Sequence, residues 1–370
     1  SFSACNFLRN ATRAFYVARG GAVHPQGALA ASDGSCESNF VNSNTGSGSY
    51  GGAFDAPNGN ASLTNMSFLL NGISGNSTGT LYGGAGYFGG TTIAISCTFD
   101  SNRSNYAYGG FYTAGAATTT NCTFVANICL SGEAGGFYAG GAVNASNCAF
   151  SGNVAASNGG AFVTNAQASA TKCTFSSNRS TSGSGGAILA GSTVTAVDCG
   201  FVMNYCGGTG GAIYSGSGAA YATRCEFTSN TATGGNGGAI RAGGLTELIN
   251  CPLTSNTCGS SGGAVFAGST TTADTCQFTN NVCGSSGGAI FSGSSVTTTN
   301  CAFQSNTASN DRGGAISSSG TVTATHTPFR DNRGVYSGGA IRCARIGTLE
   351  TCSFEANRCV GASDQRGGAI

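Results

Sequence analysis

The stretch GGAILAGSTVTAVDCGFVMNYCGGTGGAIYSGSGAAYATRCEFTSN, residues 185–230, contains the pattern that decides the fold. It holds two copies of one unit, and each copy begins with Gly-Gly-Ala-Ile and ends with Cys-x-Phe-x-x-Asn. The two Phe residues of this stretch, Phe201 and Phe227, are 26 positions apart. A fixed internal period of this length is typical of solenoid proteins, in which each repeat contributes one coil.

The same unit extends along the whole chain. From Phe99 to Phe354 the Phe anchors follow one another every 25 or 26 residues, whereas the first three spacings are 33, 28 and 31. We therefore expect larger loops in residues 1–95 and regular coils in residues 96–370. The fourteen anchors are Phe7, Phe40, Phe68, Phe99, Phe124, Phe150, Phe175, Phe201, Phe227, Leu253, Phe278, Phe303, Phe329 and Phe354.

The residue types around each anchor favour strands over helices, because Gly, Ser, Thr and β-branched residues dominate the unit. The Cys lies two residues before the Phe, so both side chains share one face of a strand. Small or apolar residues also stand five and seven positions before the Phe. These odd positions share the inward face with the Cys and the Phe only if the chain turns a corner three or four positions before the Phe. The pattern predicts an all-β fold, a right-handed parallel β-helix of about 14 coils, with the Asn on a longer loop. We expect this β-helix to form one domain, residues 1–370.

The composition limits the classes of function. Gly accounts for 63 of 370 residues and charged residues for only 8%, but 22 Phe, 12 Tyr and 18 Cys supply enough apolar mass to fold. A net charge of +1 argues against nucleic acid as a partner. No apolar run approaches the ~18 residues of a membrane helix, so no membrane span is expected in this segment. The chain opens and closes within the repeat, which predicts that it is a segment of a longer polypeptide.

The alternation of Gly-Gly-Ala-Ile with Phe-x-x-Asn resembles the repeat of the chlamydial polymorphic outer-membrane proteins. The resemblance covers essentially the whole chain, and it rests on fourteen phased copies rather than on any single match. It implies a surface-exposed passenger region that forms a β-helix and acts in adhesion. The Cys before almost every Phe is more regular here than that family requires, and this chain contains no outer-membrane barrel.

The cysteines form two sets. The first lies two residues before the anchors, where thiols stacked at about 4.8 Å are too far apart for disulfides and do not converge on a metal. Unpaired structural thiols are therefore favoured over stacked disulfides, and no metal or other cofactor is predicted. The second set follows the Asn in an expected flexible loop, where Cys258 and Cys283 of adjacent coils are a candidate disulfide. This second set comprises Cys129, Cys206, Cys258, Cys283 and Cys359.

Eight Asn-x-Ser/Thr sequences are candidate N-glycosylation acceptors if the protein is secreted by a eukaryote. Their number is no argument in itself, because chance placement in so polar a chain predicts a similar count. The eight are Asn10, Asn60, Asn65, Asn76, Asn102, Asn121, Asn144 and Asn178.

The residue that follows each Gly-Gly-Ala-Ile is expected to point away from the core. An exposed row of aromatic residues there would stack to stabilise the sheet, contact another subunit or bind sugar rings. We call this row the stripe. Its residues of interest are Tyr87, Tyr112, Tyr138, Tyr214, Arg241, Phe266, Phe291 and Arg342.

No catalytic residues are predicted. A polysaccharide lyase or hydrolase, the alternative function, needs carboxylates clustered with a base on one face, whereas His24 and His326 are isolated in sequence. Lys172, Asp198 and Arg224 occupy one corner in consecutive repeats and predict a salt-bridge ladder. The Thr-rich strands skip repeats, which argues against an ice-binding surface.

The sequence therefore predicts a non-enzymatic, extracellular or cell-surface β-helix that scaffolds, adheres or assembles into a fibre or coat. The expected partners are copies of itself or other surface proteins, with glycans as an alternative.

Overall fold

The computed structural model describes residues 1–14, 17–43, 48–75, 80–361 and 367–370, and within these ranges the chain contains strands and no helix. It divides into two compact units, which we call unit 1 (Ser1–Gly183 with Ala187–Ala190) and unit 2 (Ser184–Gly186 with Gly191–Ile370). Parallel strands stack into a β-solenoid of about 13 turns, which confirms the predicted fold class. The right-handed sense of the coils and the single domain stay predictions.

Each regular coil consists of four short strands, as in Ala117–Thr120, Thr123–Val125, Ile128–Cys129 and Phe137–Ala139. The predicted corner between the first and second strands is confirmed at Asn121, which has a φ of 54°. A second corner, missed in the sequence, lies between the second and third strands at Ala126, with a φ of 51°. Such left-handed residues turn the chain sharply within a single position.

Unit 1 contains the irregular coils, where first and second strands merge and three extra strands pair in the loops. First and second strands are Phe2–Ser3, Asn6–Leu8, Leu29–Glu37, Ala61–Leu69, Thr92–Ile95, Thr98–Asp100, Ala117–Thr120, Thr123–Val125, Val143–Ser146, Ala149–Ser151, Ala168–Thr171 and Thr174–Ser176. Third strands are Ala11–Ala14, Phe40–Ser43, Gly72–Gly75, Arg103–Ser104, Ile128–Cys129, Val154–Ala155 and Arg179–Ser180. The extra strands are Val17–Arg19, Gly48–Tyr50 and Thr80–Tyr82, and fourth strands are Phe54–Ala56, Gly86–Phe88, Phe111–Thr113, Phe137–Ala139, Phe162–Thr164 and Ile188–Ala190.

Unit 2 repeats the regular coil. First strands are Val194–Val197, Ala220–Thr223, Thr246–Ile249, Thr271–Asp274, Val296–Thr299, Thr321–Thr325 and Arg345–Glu350. Second strands are Gly200–Val202, Glu226–Thr228, Pro252–Thr254, Gln277–Thr279, Ala302–Gln304, Phe329–Arg330 and Phe354–Glu355. Third strands are Tyr205–Cys206, Thr231–Ala232, Thr257–Cys258, Val282–Cys283, Thr307–Ala308, Arg333–Gly334 and Arg358–Cys359, and fourth strands are Ile213–Ser215, Ile240–Ala242, Val265–Ala267, Ile290–Ser292, Ile316–Ser318 and Ile341–Arg342.

The anchor rings fill the core. Phe201, Phe227 and Phe278 are fully buried, which confirms the inward register of the repeat. Phe201 and Phe227 stack with ring centroids 4.9 Å apart and ring planes within 2°. Because the chain returns to the same point after each coil, every inward position becomes a column of like side chains.

The Asn of the repeat is inside the solenoid rather than on an outer loop. The side-chain amide of Asn256 donates to the Phe227 carbonyl oxygen at 2.9 Å and to Asn281 Oδ1 at 3.0 Å. Asn256 Oδ1 accepts from the backbone and side-chain amides of Asn230, both at 3.0 Å. We call this column the asparagine ladder, and it explains the fixed place of Asn: its amide has the donors and the acceptor needed to tie one coil to both neighbours.

The ladder also corrects the register of the second coil, where the repeat was aligned on Phe40. Asn39 Nδ2 donates to Asn71 Oδ1 at 2.9 Å, and Cys36 pairs with Phe7 and with Phe68. Cys36 therefore replaces the anchor ring, whereas Phe40 lies on a third strand and is 37% exposed. The hydrogen bonds of the Asn39 side-chain amide establish this register, which sequence spacing alone does not reveal.

The second cysteine set lies on the third strands, so the prediction of a flexible loop is wrong. Cys206, Cys258 and Cys283 form a buried cluster in unit 2 with the small residues Ala232 and Ala308. The two residues of each third strand follow directly on the asparagine ladder, which fixes the chain there and turns these thiols inward.

Candidate functional site: the stripe and its charged end

The stripe occupies the middle position of the fourth strands. In unit 1, Tyr87, Tyr112 and Tyr138 pair in register on adjacent strands. Their rings stack with centroids 5.0 and 5.5 Å apart and planes within 7°. The expected exposure is wrong for Tyr138, which is only 9% exposed because Ala134 and Tyr108 pack against it from the loop before the fourth strands.

A second tyrosine column, missed in the sequence, runs beside the first. Tyr50 and Tyr82 pair on the extra strands, and Tyr82 stacks on Tyr108 at 5.5 Å. The two columns touch, with Tyr108 and Tyr138 at 4.5 Å and Tyr50 and Tyr87 at 4.9 Å between ring centroids. A Tyr directly before Gly in three successive repeats was the sequence signal. We call Tyr50, Tyr82, Tyr87, Tyr108, Tyr112 and Tyr138 the tyrosine cluster.

The column continues into a charged end formed by Arg19, His24 and Asp55. Asp55 pairs in register with Tyr87 and is fully buried. His24 Nδ1 lies 2.9 Å and Arg19 Nη1 3.4 Å from Asp55 Oδ2, and the Arg19 guanidinium lies over the Tyr50 ring at 4.5 Å. The view of His24 as isolated is therefore wrong. The signal was present: His24 and Asp55 each follow a relative of Gly-Gly-Ala-Ile.

Burial dominates the electrostatics of this end. The pKa of Asp55 is raised by burial, although the charges of His24 and Arg19 act in the opposite direction. Its Oδ1 atom has no hydrogen-bond partner among the described residues. Burial also raises the pKa of Tyr87 to about 12, with neighbouring tyrosines and Asp55 adding to the effect. In the described part of the chain no three His, Cys, Asp or Glu residues are grouped to bind a metal.

In unit 2 the stripe mixes aromatic and cationic residues, all half-buried. The Arg241 guanidinium lies over the Tyr214 ring at 4.9 Å and donates to the Gly216 carbonyl oxygen at 3.0 Å. Phe266 and Phe291 stack at 5.0 Å with planes within 6°. Further along, Arg342 donates to the Ser318 carbonyl oxygen at 3.3 Å.

The stacking decides what the stripe can offer to a ligand. In both units the faces of neighbouring rings are turned toward each other, which accounts for cross-strand stabilisation of the sheet. A sugar ring needs a free aromatic face, and the faces that stack on one another in these pairs are not free. This geometry favours contact with protein side chains over a carbohydrate platform.

Cys258 and Cys283 pair in register on adjacent strands as buried free thiols. Burial raises the pKa of Cys258 to about 12 and also raises that of Cys283. Disulfide formation needs a thiolate, so burial opposes the reaction that their placement allows. The disulfide stays a prediction. In the first cysteine column of unit 2, the Cys225 backbone N–H donates to Cys251 Sγ at 3.4 Å, a packing role for the thiol.

The sequence-predicted glycosylation sites separate by burial. Asn10, Asn60, Asn65, Asn121 and Asn144 are exposed. Asn102 and Asn178 are fully buried in the asparagine ladder, so their amides are inaccessible in the folded chain and the prediction is corrected there. Asn76 lies outside the described residues. All the described acceptors belong to unit 1.

At the predicted corner ladder, Arg224 and Asp198 of unit 2 form a two-bond ion pair, Nε to Oδ1 at 2.6 Å and Nη2 to Oδ2 at 3.1 Å. Arg224 is exposed and Asp198 is partly exposed, so the pair adds little to stability.

Two segments of the chain, residues 172–191 and 275–293, match one family model. The model is that of the Chlamydia polymorphic membrane protein repeat, to which both segments are similar. The second segment runs from the corner residue Thr275 through Phe278 and Asn281 to the fourth strand Ile290–Ser292, so the repeat corresponds to most of one coil. This match confirms the resemblance inferred from the motifs. Comparison with curated proteins and with solved structures found no match. None of the described residues forms a helix able to cross a membrane.

Proposed function

We propose that this chain is a surface-exposed structural solenoid that works by associating with further copies of itself through the stripe. The polymorphic membrane protein repeat supports a surface location, since the family is named for membrane proteins. The parallel β-solenoid supports a scaffolding role, because within each unit the stacked coils present a row of equivalent positions.

The observation that carries the proposal is the pair Phe266 and Phe291. Both rings lie on the outer side of strands whose inner residues already fill the core, and both are only half-buried. Packing of the core therefore does not account for aromatic residues at these positions. Aromatic residues and Arg are enriched at the centres of protein interfaces. Arg241 pairs with Phe266 on one side of this pair, and on the other side Ser317 separates Phe291 from Arg342. A net charge of +1 keeps electrostatic repulsion between copies small.

Sedimentation velocity and negative-stain microscopy over a range of concentrations test this proposal. We expect the wild-type chain to form laterally associated particles or filaments, and the double variant Phe266→Ser with Phe291→Ser to shift association to at least tenfold higher concentration. The matched control is Tyr221→Ser, because Tyr221 is 37% exposed on a first strand of unit 2, away from the stripe. Circular dichroism establishes that all three proteins are folded.

A wild-type chain that stays monomeric at the highest concentration would overturn the proposal. So would equal association of the double variant and the wild type. Binding to an oligosaccharide array without self-association would replace self-assembly with glycan adhesion as the role of the stripe.

A further inference from the structure

We propose that the tyrosine cluster of unit 1 is a site of oxidative cross-linking, at which a carbon–carbon bond joins Tyr108 to Tyr138. The product is a dityrosine within one chain. The inference stands on the geometry of the cluster and is independent of the role proposed for the stripe of unit 2.

The two rings are in direct contact. The Tyr108 and Tyr138 centroids are 4.5 Å apart with planes inclined by 32°. Coupling requires the two side chains to turn out of this tilted stack until their ortho carbons meet.

The surroundings hold these two rings in contact. Tyr138 is 9% exposed and packs with Ala134 and Val163, while Tyr108 lies against this group. The side-chain amide of Asn165 donates to the Tyr138 hydroxyl at 2.6 Å. Burial raises the pKa of both phenols, so both start as neutral phenols.

The cluster also provides a route for the oxidising event. Tyr82 and Tyr112 lie 5.5 and 5.1 Å from Tyr108, and Tyr112 lies 5.5 Å from Tyr138. Tyr82 and Tyr112 are half-buried and in contact with solvent. A radical formed at either ring can therefore reach the buried pair through adjacent rings by successive electron transfer.

Each of the two tyrosines gives one electron to a one-electron oxidant, such as a peroxidase acting on hydrogen peroxide, and one proton to water. The two phenoxyl radicals couple at their ortho carbons, and each ring recovers its aromaticity when the ortho hydrogen moves to the phenol oxygen. The chain loses two hydrogen atoms in total. Because Tyr108 belongs to one coil and Tyr138 to the next, the bond fastens two adjacent coils of unit 1.

Photo-oxidised tris(bipyridyl)ruthenium(II) with persulfate is the probe, applied to the dilute full chain. We expect dityrosine fluorescence in the monomer fraction and, after digestion, one dominant cross-linked peptide pair containing Tyr108 and Tyr138 that is two hydrogens lighter than its parts. The midpoint of urea unfolding should rise in the cross-linked monomer. Tyr108→Phe and Tyr138→Phe should each reduce the monomer fluorescence at least fivefold, and Tyr221→Phe is the matched control in unit 2.

Fluorescence that survives in both Phe variants would overturn the assignment, as would a dominant peptide pair from other tyrosines. Cross-links found only between molecules would overturn it as well. Phe keeps the ring and its packing, so the variants are expected to fold, and circular dichroism checks this. If one variant is unfolded, the other variant and the peptide map of the wild type still decide the outcome.

Discussion

Unit 1 and unit 2 fill the same coil with different side chains. In unit 1 the inward residue of the fourth strand is Phe in four coils, so a second aromatic column packs against the anchor rings. Phe137 lies 4.7 Å from Phe111 and 5.2 Å from Phe124 between ring centroids. In unit 2 the same position is aliphatic, as in Ile240 and Ile290. The rings or aliphatic chains change while the asparagine ladder and the corners persist, so the register of the coil does not depend on what fills its core.

The outward residues of the fourth strands also differ between the units. The stripe of unit 1 carries tyrosines and ends at a buried carboxylate, whereas the stripe of unit 2 carries Tyr214 together with Phe and Arg residues. A frame held by amide hydrogen bonds and left-handed corners leaves both the inner and the outer face of the fourth strand free to vary. The stripe is thus the part of the coil where a functional difference between the units can be placed at little structural cost.

The largest effect is expected from removing a ring of the second aromatic column. Phe137→Ala should lower the free energy of unfolding by about 3–5 kcal/mol, because four neighbouring rings would line the resulting cavity. Ile290→Ala is the counterpart in unit 2 and should cost less, near 2–3 kcal/mol, since fewer atoms are removed. Urea unfolding measures both. An equal loss in the two variants would contradict the contrast between the cores.

The asparagine ladder should matter equally in both units. Asn127→Ala and Asn256→Ala each leave buried donors and acceptors without partners, and we expect a loss of about 3 kcal/mol in either case. Asn144→Ala, on the exposed face of a first strand, is the control and should change stability by less than about 0.5 kcal/mol. If one of the two Asn→Ala variants lost much less stability than the other, the asparagine ladder would not stabilise the two units equally.

Two buried threonines in the core of unit 2 predict a gain in stability. Thr246 and Thr271 pair in register, and neither hydroxyl has a hydrogen-bond partner among the described residues. Thr271→Val removes an unsatisfied buried hydroxyl at nearly constant volume and should stabilise the chain by about 1 kcal/mol. Val322→Thr, the reverse change at an equivalent core position, should destabilise it by a similar amount. Thermal unfolding of the two variants checks the signs.

The smallest effect concerns the charged end of unit 1 and appears as a dependence on pH. Because burial raises the pKa of Asp55 above its ordinary value, the folded chain binds this proton more tightly than the unfolded chain. Stability should therefore fall as the pH rises from the ordinary Asp pKa of about 3.9 through the raised value. Arg19, His24 and Tyr87 are the groups that face this carboxylate.

Asp55→Asn should abolish that fall and be at least as stable as the wild type at neutral pH. Urea midpoints of both proteins across the acid range test this, with Asp198→Asn as a control because Asp198 is a surface carboxylate. A variant that is clearly less stable than the wild type at neutral pH would show that the ion pairs with Arg19 and His24 outweigh burial.

The sequence predicted those features of the coil that depend only on the type of side chain at each position. Phe and Cys at alternating positions revealed the inward face, and the parity break revealed the corner at Asn121. The sequence did not reveal the burial of Asn127 and its equivalents, because a polar residue at a turn is normally solvated and only the stacked amides satisfy it inside. His24 and Asp55 were separated by a full coil, so their contact depended on a register that the longer early loops obscured.

The left-handed corners have a consequence for how the chain tolerates insertions and deletions. Each coil turns at single residues such as Asn121 and Ala126, and between them the strands have fixed lengths. One residue added there would rotate every later side chain in that coil from the inner to the outer face. An insertion between the third strand and Gly-Gly meets no such constraint, and removal of one entire period restores the same face. Within each unit, the length of the chain can therefore change by growth of this one loop or in steps of one complete coil.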